Sequence, residues 1–402
     1  MEECLVIERS WREYSLFLET VDPTMTGYPL PRSILCRANT GIKKPIYLPR
    51  SKLGHRKAIM DVVALAALLL AFAFTFTNGF QNAGTIAATF IASRSATPRQ
   101  GIVLVAGMNV LGALLGGSAV AFTLSGLIEV TEPTQTLVVL LVALACAITW
   151  NLAAWSRGLP SSSTYALIGG LIGAAVAGTG IGSVDWGVAA LTGSAPALEG
   201  MVKVLVLLAA AVGIGLAGGY AVQRILAVLL RNVKRRAARE RIVAANWIAA
   251  LGMAFFSGAN DAQKQLGVVA LVLFAAGGTV TLEVPIWARA LTALLLGLGT
   301  LGGGWRVMNT LGHRIFRIAP VHSLSSQTSS GLTIAVSTLA GAPVASSQIV
   351  TSSVIGVGAA ENPRRLNWHV ADAVVIAMLT TIPGTAVLAA LVVFLVAPLA
   401  GM

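Results

Sequence analysis

The sequence predicts an all-α polytopic membrane protein, built as an inverted-topology repeat of about 5+5 transmembrane helices with broken helices at the midplane. Three observations predict it. The 402 residues are 56% hydrophobic and only 11% charged, where soluble domains carry about 25% charged residues. Apolar stretches recur along the chain, many near the ~20 residues that a helical span needs. Two polar interruptions recur in the same order in both halves.

The first interruption is Asn78-Gly79-Phe80-Gln81-Asn82, matched by Ser257-Gly258-Ala259-Asn260-Asp261-Ala262-Gln263-Lys264. The second is Pro160-Ser161-Ser162-Ser163-Thr164, matched by Pro343-Val344-Ala345-Ser346-Ser347. Gly258 follows Gly79 by 179 residues (258 − 79) and Pro343 follows Pro160 by 183 (343 − 160). Two unrelated segments at nearly equal offsets indicate a duplicated unit. Polar, glycine-broken segments at corresponding places in two membrane halves point to a carrier's binding site.

The elements run in order along the chain. Residues 1–58 are rich in charge and proline and hold no long apolar run. They read as a disordered extension, or as a misassigned start with Met60 as the first residue. Ten apolar stretches then suggest spans at 59–92, 101–125, 136–155, 164–181, 201–230, 242–276, 286–303, 322–340, 347–360 and 369–397. Residues 59–230 form the first repeat and 242–398 the second, joined by a basic loop at 231–241. The Pro-Ser-Ser segments could also be tips of re-entrant hairpins, which would change the crossing count.

Charge sets the expected orientation. Loops carrying Arg94 and Arg99, Arg157, the cluster Arg231 to Arg241, Arg306 to Arg317, and Arg364 and Arg365 alternate with loops carrying Glu129 and Glu132, Asp185 and Glu199, and Glu283. The positive-inside rule places the basic set in the cytoplasm and the protein in the cell membrane, within the lipid bilayer. The net charge of +12 is thereby accounted for without a nucleic-acid partner. Three scattered cysteines and four histidines show no ligand spacing, so no metal site or cofactor is expected. No nucleotide loop or nucleophile–base pair suggests an enzyme. Uphill movement would then draw on an ion gradient.

Asp261 is the chief candidate site residue, because an ionisable group inside a bilayer is costly and usually functional. Ser257-Gly258-Ala259 is expected to open the helix before it, exposing carbonyls to a cation and N–H groups to an anion. Asn260 and Asp261 with Gln81 are expected to bind a coupling cation, H⁺ or Na⁺. Asn78, Asn82, Asn260, Asp261 and the hydroxyls of Ser162, Ser163, Thr164, Ser346 and Ser347 are expected to hold an anion. The hydroxyl segments read as two helix caps forming a symmetric oxyanion cradle. Lys264 pairs with Asp261 one turn on, or lines the path. Ser325 and Gln327 line the path or belong to a bonded polar face.

These segments resemble the inorganic phosphate transporter (PiT) family, which repeats an acidic Gly-Ala-Asn-Asp segment and a Pro-Val-Ser-Thr-Thr-His segment. The resemblance covers residues 60–398 and implies cation-coupled symport of inorganic phosphate and, by analogy, a homodimer. This chain departs from the pattern at Asn82 for an Asp, Gln81 for a His, Thr85 for an Asn, Ala345 for a Ser, and Tyr165 and Gln348 for His residues. One of two expected carboxylates is missing. Sulfate or another tetrahedral oxyanion is the alternative cargo, and a non-transporting anion-binding receptor the alternative class. Hydrogen phosphate keeps a P–OH proton that needs an acceptor, whereas sulfate needs donors only. Asp261 therefore favours phosphate.

Overall fold

In the computed structural model, residues 50–128, 132–158, 161–191, 197–233, 235–277, 284–304, 307–308 and 315–400 are described. The expectations for residues 1–49, Pro160, Glu129, Lys234, Glu283, Arg306 and Arg314 lie outside them. Contacts divide the chain into Met1–Gly54 and His55–Met402, and the second unit holds the packed helices and the site.

The helices are α1 (Arg50–Ile86), α2 (Ala88–Ala92), α3 (Pro98–Leu115), α4 (Ala119–Ser125), α5 (Pro133–Ser156), α6 (Ser163–Thr179), α7 (Val188–Leu191), α8 (Gly200–Leu229), α9 (Arg235–Ala275), α10 (Ile286–Gly302), α11 (Pro320–Leu339), α12 (Ser346–Glu361) and α13 (Trp368–Ala400). Among the described residues, six stretches are long and apolar enough to cross a membrane: Met60–Ala92, Pro98–Leu115, Pro133–Ser156, Gly200–Leu229, Arg239–Ala275 and Ala371–Leu395. The others are shorter or more polar. Helices α6 and α12, with 17 and 16 residues, reach about 25 Å at 1.5 Å per residue. That falls short of a hydrocarbon core of about 30 Å.

Polarity is arranged inside out relative to a soluble protein. Large apolar side chains face outward along the long helices, among them Val62, Leu69, Ile248, Leu379 and Leu395. Polar side chains gather inside, including Asn78, Asn82, Asn260, Asp261 and Lys264. Lipid solvates the first set and cannot solvate the second.

The two halves make matching contacts. A methyl group added at Gly79 would overlap the Leu296 carbonyl, and one at Gly299 the Phe76 carbonyl. In the other half, a methyl at Gly258 would overlap the Asn109 backbone, and one at Gly112 the Phe255 carbonyl. The offsets of 179 (258 − 79, 255 − 76) and 187 (296 − 109, 299 − 112) relate one crossing to the other. Thus α1 crosses α10 as α9 crosses α3, and glycine lets each pair of backbones touch.

Loops of like charge meet. Arg94 and Arg317, from two separate connections, and Arg239, near the start of α9 and so helical where a loop over 231–241 was expected, line one cavity of about 700 Å³. At another place the Leu127 carbonyl accepts from Asp185 N and the Asp185 carbonyl accepts from Met201 N, which joins two connections from the acidic set.

Two expectations need correction. Residues 78–82 and 257–264 remain helical inside α1 and α9, so neither helix opens at its polar segment. The side chains bond across to other elements, and the intrahelical ladder is left intact. The discontinuities fall elsewhere: at Ala87 between α1 and α2, and at the chain entries to α6 and α12. The expected span 101–125 is also interrupted. It breaks between Leu115 and Ala119, where Gly117 takes φ +80°.

Candidate functional site

The polar segments of α1 and α9 face each other, and the first turns of α6 and α12 close the site. Asn82 Nδ2 donates to Asp261 Oδ2 at 2.5 Å and to Asn78 Oδ1 at 2.9 Å. An ionised carboxylate only accepts, so the Asn82 amide nitrogen must face it. Ser163 Oγ donates to Asn78 Oδ1 at 2.5 Å, and Ser346 Oγ to Asp261 Oδ1 at 3.2 Å. One hydroxyl from each short helix therefore reaches the polar segment of its own half.

Lys264 ties the halves together. Its ammonium donates to Asp261 Oδ1 at 2.6 Å, to Thr164 Oγ1 at 2.7 Å and to the Val344 carbonyl at 2.7 Å. These lie at or below the usual range for charge-assisted bonds, about 2.7–2.9 Å. Asp261 and Lys264 are 2% and 3% exposed. They are the only buried carboxylate and the only buried Lys or Arg side chain among the described residues. The site thus holds one negative and one positive fixed charge.

The hydroxyl segments exchange contacts. Thr164 Oγ1 donates to the Val344 carbonyl at 3.3 Å, and Ser347 Oγ donates to the Ser161 carbonyl at 3.2 Å. Both partners shift by 183 (347 − 164, 344 − 161). Gln81 Nε2 adds a bond to the Ser161 carbonyl at 3.1 Å. Several buried atoms of this cluster make no protein hydrogen bond: Gln81 Oε1, Asn82 Oδ1, Ser161 Oγ and both amide atoms of Gln348.

The expected site residues divide in four. Asn78, Gln81, Asn82, Ser163, Thr164, Asp261, Lys264, Ser346 and Ser347 are brought together. Ser162 is a true cap, its Oγ accepting from Tyr165 N at 3.2 Å. The corresponding cap position of α12 is Ala345, which makes no side-chain cap bond. Ser346 and Ser347 are therefore not caps, and the symmetric pair of caps does not form. Asn260 supports the site from behind. It donates to Thr338 Oγ1 and to the Ala342 carbonyl, both at 3.1 Å, and accepts from Val344 N at 3.2 Å. That fixes the turn presenting the Val344 carbonyl to Lys264.

Ser325 and Gln327 lie in a different network. Ser325 Oγ donates to Gln223 Oε1 at 2.7 Å, and Gln327 Nε2 to Thr89 Oγ1 at 3.0 Å. Gln327 also lines a cavity of about 400 Å³ between α9 and α11.

Three participants carry no signal that singles them out in the sequence. The carbonyls of Ser161 and Val344 act without their side chains. Gln263 stands inside the recognised segment, yet its role depends on the break after α3. There it accepts from Val120 N at 2.9 Å and donates to the Gly116 carbonyl, bonding both sides of the interruption.

Long apolar helices around a buried, charge-paired, hydroxyl-rich centre define a multi-pass membrane protein of the helical carrier type. The phosphate transporter family model matches residues 78–245 and 230–389, and the chain belongs to that family. A probable low-affinity inorganic phosphate transporter of Rhizobium meliloti (strain 1021) is 32% identical over 329 residues, covering 81% of this chain and 94% of the relative. Another of the same description, from Bacillus subtilis (strain 168), is 29% identical over 340 residues, covering 84% and 98%. A solved sodium-dependent phosphate transporter superposes with a TM-score of 0.67 at 23% identity, covering 83% of this chain and 99% of that one. This last likeness establishes the fold.

Proposed function

We propose that the protein is a secondary carrier that moves inorganic phosphate together with a cation across the cell membrane. The observation that carries this reading is the Asn82–Asp261 contact, with a hydroxyl from each short helix bonded beside it. A tetrahedral oxyanion needs several donors around it, and one that keeps a proton needs an acceptor as well. Ser163, Thr164, Ser346 and Ser347 bring hydroxyls and Asn78, Gln81 and Asn82 bring amides; the four hydroxyls and Asn82 now donate within the protein and turn to the anion when it binds. A carboxylate offers about four acceptor positions. Three at Asp261 are taken by Asn82, Lys264 and Ser346, and the remaining one, on Oδ2, accepts the P–OH proton. Sulfate has no proton to give it.

The names of the bacterial relatives support the same cargo. The convergence of Arg94, Arg239 and Arg317 supports a common cytoplasmic face, with the acidic connections opposite. The two halves then lie inverted across the bilayer, with the site at their interface.

The test is radiolabelled phosphate uptake into liposomes containing the purified chain, with proton and sodium gradients imposed separately and excess sulfate as competitor. Gradient-driven accumulation that sulfate does not inhibit is expected. Sulfate accumulation would overturn the cargo, and phosphate binding without flux would make the protein a receptor.

A further inference from the structure

Helices α9 and α11 lie side by side and run parallel. Ser323 Oγ donates to Asn246 Oδ1 and Ser330 Oγ to Met253 Sδ, each pair 77 positions apart. Between the two helices runs the cavity of about 400 Å³ that Gln327 lines. Its lining extends from Ala245 to Phe256 on α9 and from Leu324 to Ala335 on α11, at every third or fourth residue. One stripe of each helix therefore forms a wall. Apart from Gln327 and Thr328 the lining is apolar or glycine, and Gln327 turns its amide nitrogen to Thr89. A methyl group added at Gly252 would meet nothing within 4 Å. Ile248 and Leu332, one on each wall, are exposed, so the groove opens toward the lipid.

The basic cavity lies at the entry to the same two helices. Arg239 precedes Ala245 on α9 by six residues (245 − 239), a rise of about 9 Å. Pro320, which lines the basic cavity with Arg317, precedes Leu324 by four (324 − 320), a rise of about 6 Å. Arg94 is fixed there through its neighbour: Ser95 Oγ accepts from Asn246 Nδ2 and the Ser95 carbonyl from Trp247 Nε1, both on α9. Arg94 has φ +59°, and no other non-glycine residue among those described has a positive φ. Such a backbone state persists only where its surroundings hold it. Among the described residues none of the three arginines forms an ion pair. Unpaired guanidinium groups around one cavity are complementary to a phosphate anion.

Dimensions choose between a soluble anion and a lipid. The groove runs over eleven residues of each helix (256 − 245, 335 − 324), about 16 Å. One leaflet of hydrocarbon is about 15 Å deep, and the head-group layer beyond it adds about 5–8 Å. The second figure matches the rise from the basic cavity to the start of the groove. We propose that α9 and α11 bind one anionic phospholipid, its phosphate held by Arg94, Arg239 and Arg317 and an acyl chain lying in the groove. The site is separate from Asp261 and Lys264, and it goes beyond the carrier reading because no cargo enters the argument. One phosphate would clamp the connection after α2 to the starts of α9 and α11, so bound lipid stabilises the fold.

The test is thermal unfolding of the purified full chain in detergent micelles, titrated with phosphatidylglycerol, with phosphatidylcholine, or with glycerol phosphate at equal ionic strength. A saturable rise in Tm is expected with phosphatidylglycerol alone. Arg94→Gln, Arg239→Gln and Arg317→Gln combined should remove it. Gly252→Leu fills the groove and leaves the arginines in place. It should raise the half-saturating phosphatidylglycerol concentration at least about tenfold, the effect of losing about two buried methylene groups. An equal rise with phosphatidylcholine would overturn the proposal. So would a phosphatidylglycerol effect that survives the triple substitution or is unchanged in Gly252→Leu. An arginine-dependent rise as large with glycerol phosphate would make this a site for soluble anions and overturn the lipid. Dissociation of a wild-type dimer by Gly252→Leu would place a second copy of the chain in the groove, with the same consequence. If the variants fail to fold, the lipid comparison on the wild-type chain decides alone. Tm here does not depend on flux, so failure of phosphate uptake would defeat the carrier reading separately.

Discussion

The Asn82 amide donates to the Asp261 carboxylate across a separation of 179 positions, the spacing that relates Gly79 to Gly258. A residue in one half therefore touches its own counterpart in the other. In a two-fold arrangement, equivalent residues meet only near the axis. The charged centre sits where the two polar segments of α1 and α9 face each other, and only one of the two partners is ionisable.

That asymmetry makes Asp261→Asn the most direct test of the site. The substitution removes the acceptor for the P–OH proton and strands the Lys264 ammonium in a buried place. Breaking a buried pair by removing one partner costs roughly 3–5 kcal/mol. Phosphate uptake should be abolished and Tm should fall. Combining Asp261→Asn with Lys264→Met removes both charges and should recover most of the Tm, but not uptake. Uptake by the single variant at the wild-type rate would remove Asp261 from the site.

Asn82→Asp creates the second carboxylate. With the present 2.5 Å contact, two carboxyl groups would share one hydrogen-bond distance, and groups that close cannot both ionise. The shared proton would replace the amide donor in acid and leave as pH rises. Uptake by the variant should therefore be retained at low pH and decline as pH increases, relative to wild type. A pH profile that parallels wild type would show that the two side chains do not touch in the working protein.

Much of this was legible in the sequence. The polar segments stood out because polar side chains are expensive in apolar surroundings, and their nearly equal spacing pointed to a duplicated unit. Eight of the ten apolar stretches each correspond to one helix of the structure, whereas 59–92 and 101–125 each divide in two. What stayed hidden depended on groups without side-chain identity. The Val344 and Ser161 carbonyls act through the backbone, which residue type does not reveal. The opening expected at Ser257-Gly258-Ala259 did not occur because Gly258 serves packing: its missing side chain lets α9 touch α3 at Asn109. Gly117, in the interruption after α3, was indistinguishable in sequence from the glycines of helix crossings.

The crossing glycines give a stability prediction with its own control. Gly258→Ala and Gly79→Ala each push a methyl group into a neighbouring backbone. Overpacking of this kind costs about 1–3 kcal/mol, and both variants should lower Tm and uptake. Gly213→Ala and Gly252→Ala meet nothing within 4 Å. Alanine is the better helix former by about 1 kcal/mol, so these should hold or raise Tm. Equal behaviour of the two sets in thermal unfolding would contradict the close crossings.

Gln263 ties the site helix to the broken span. Its side chain bonds Val120 N and the Gly116 carbonyl, and it lies one residue before Lys264. Gln263→Ala leaves the buried Val120 N without a partner, at about 1–3 kcal/mol, and removes the bond to the half-buried Gly116 carbonyl. It should lower Tm and, by loosening α9 beside Asp261, slow uptake. Gln263→Glu keeps the acceptor for Val120 N but loses the donor to Gly116, and it adds a charge in an apolar place. It should therefore be no better than Gln263→Ala. Full activity and unchanged Tm in Gln263→Ala would show that the interruption after α3 is satisfied without that side chain.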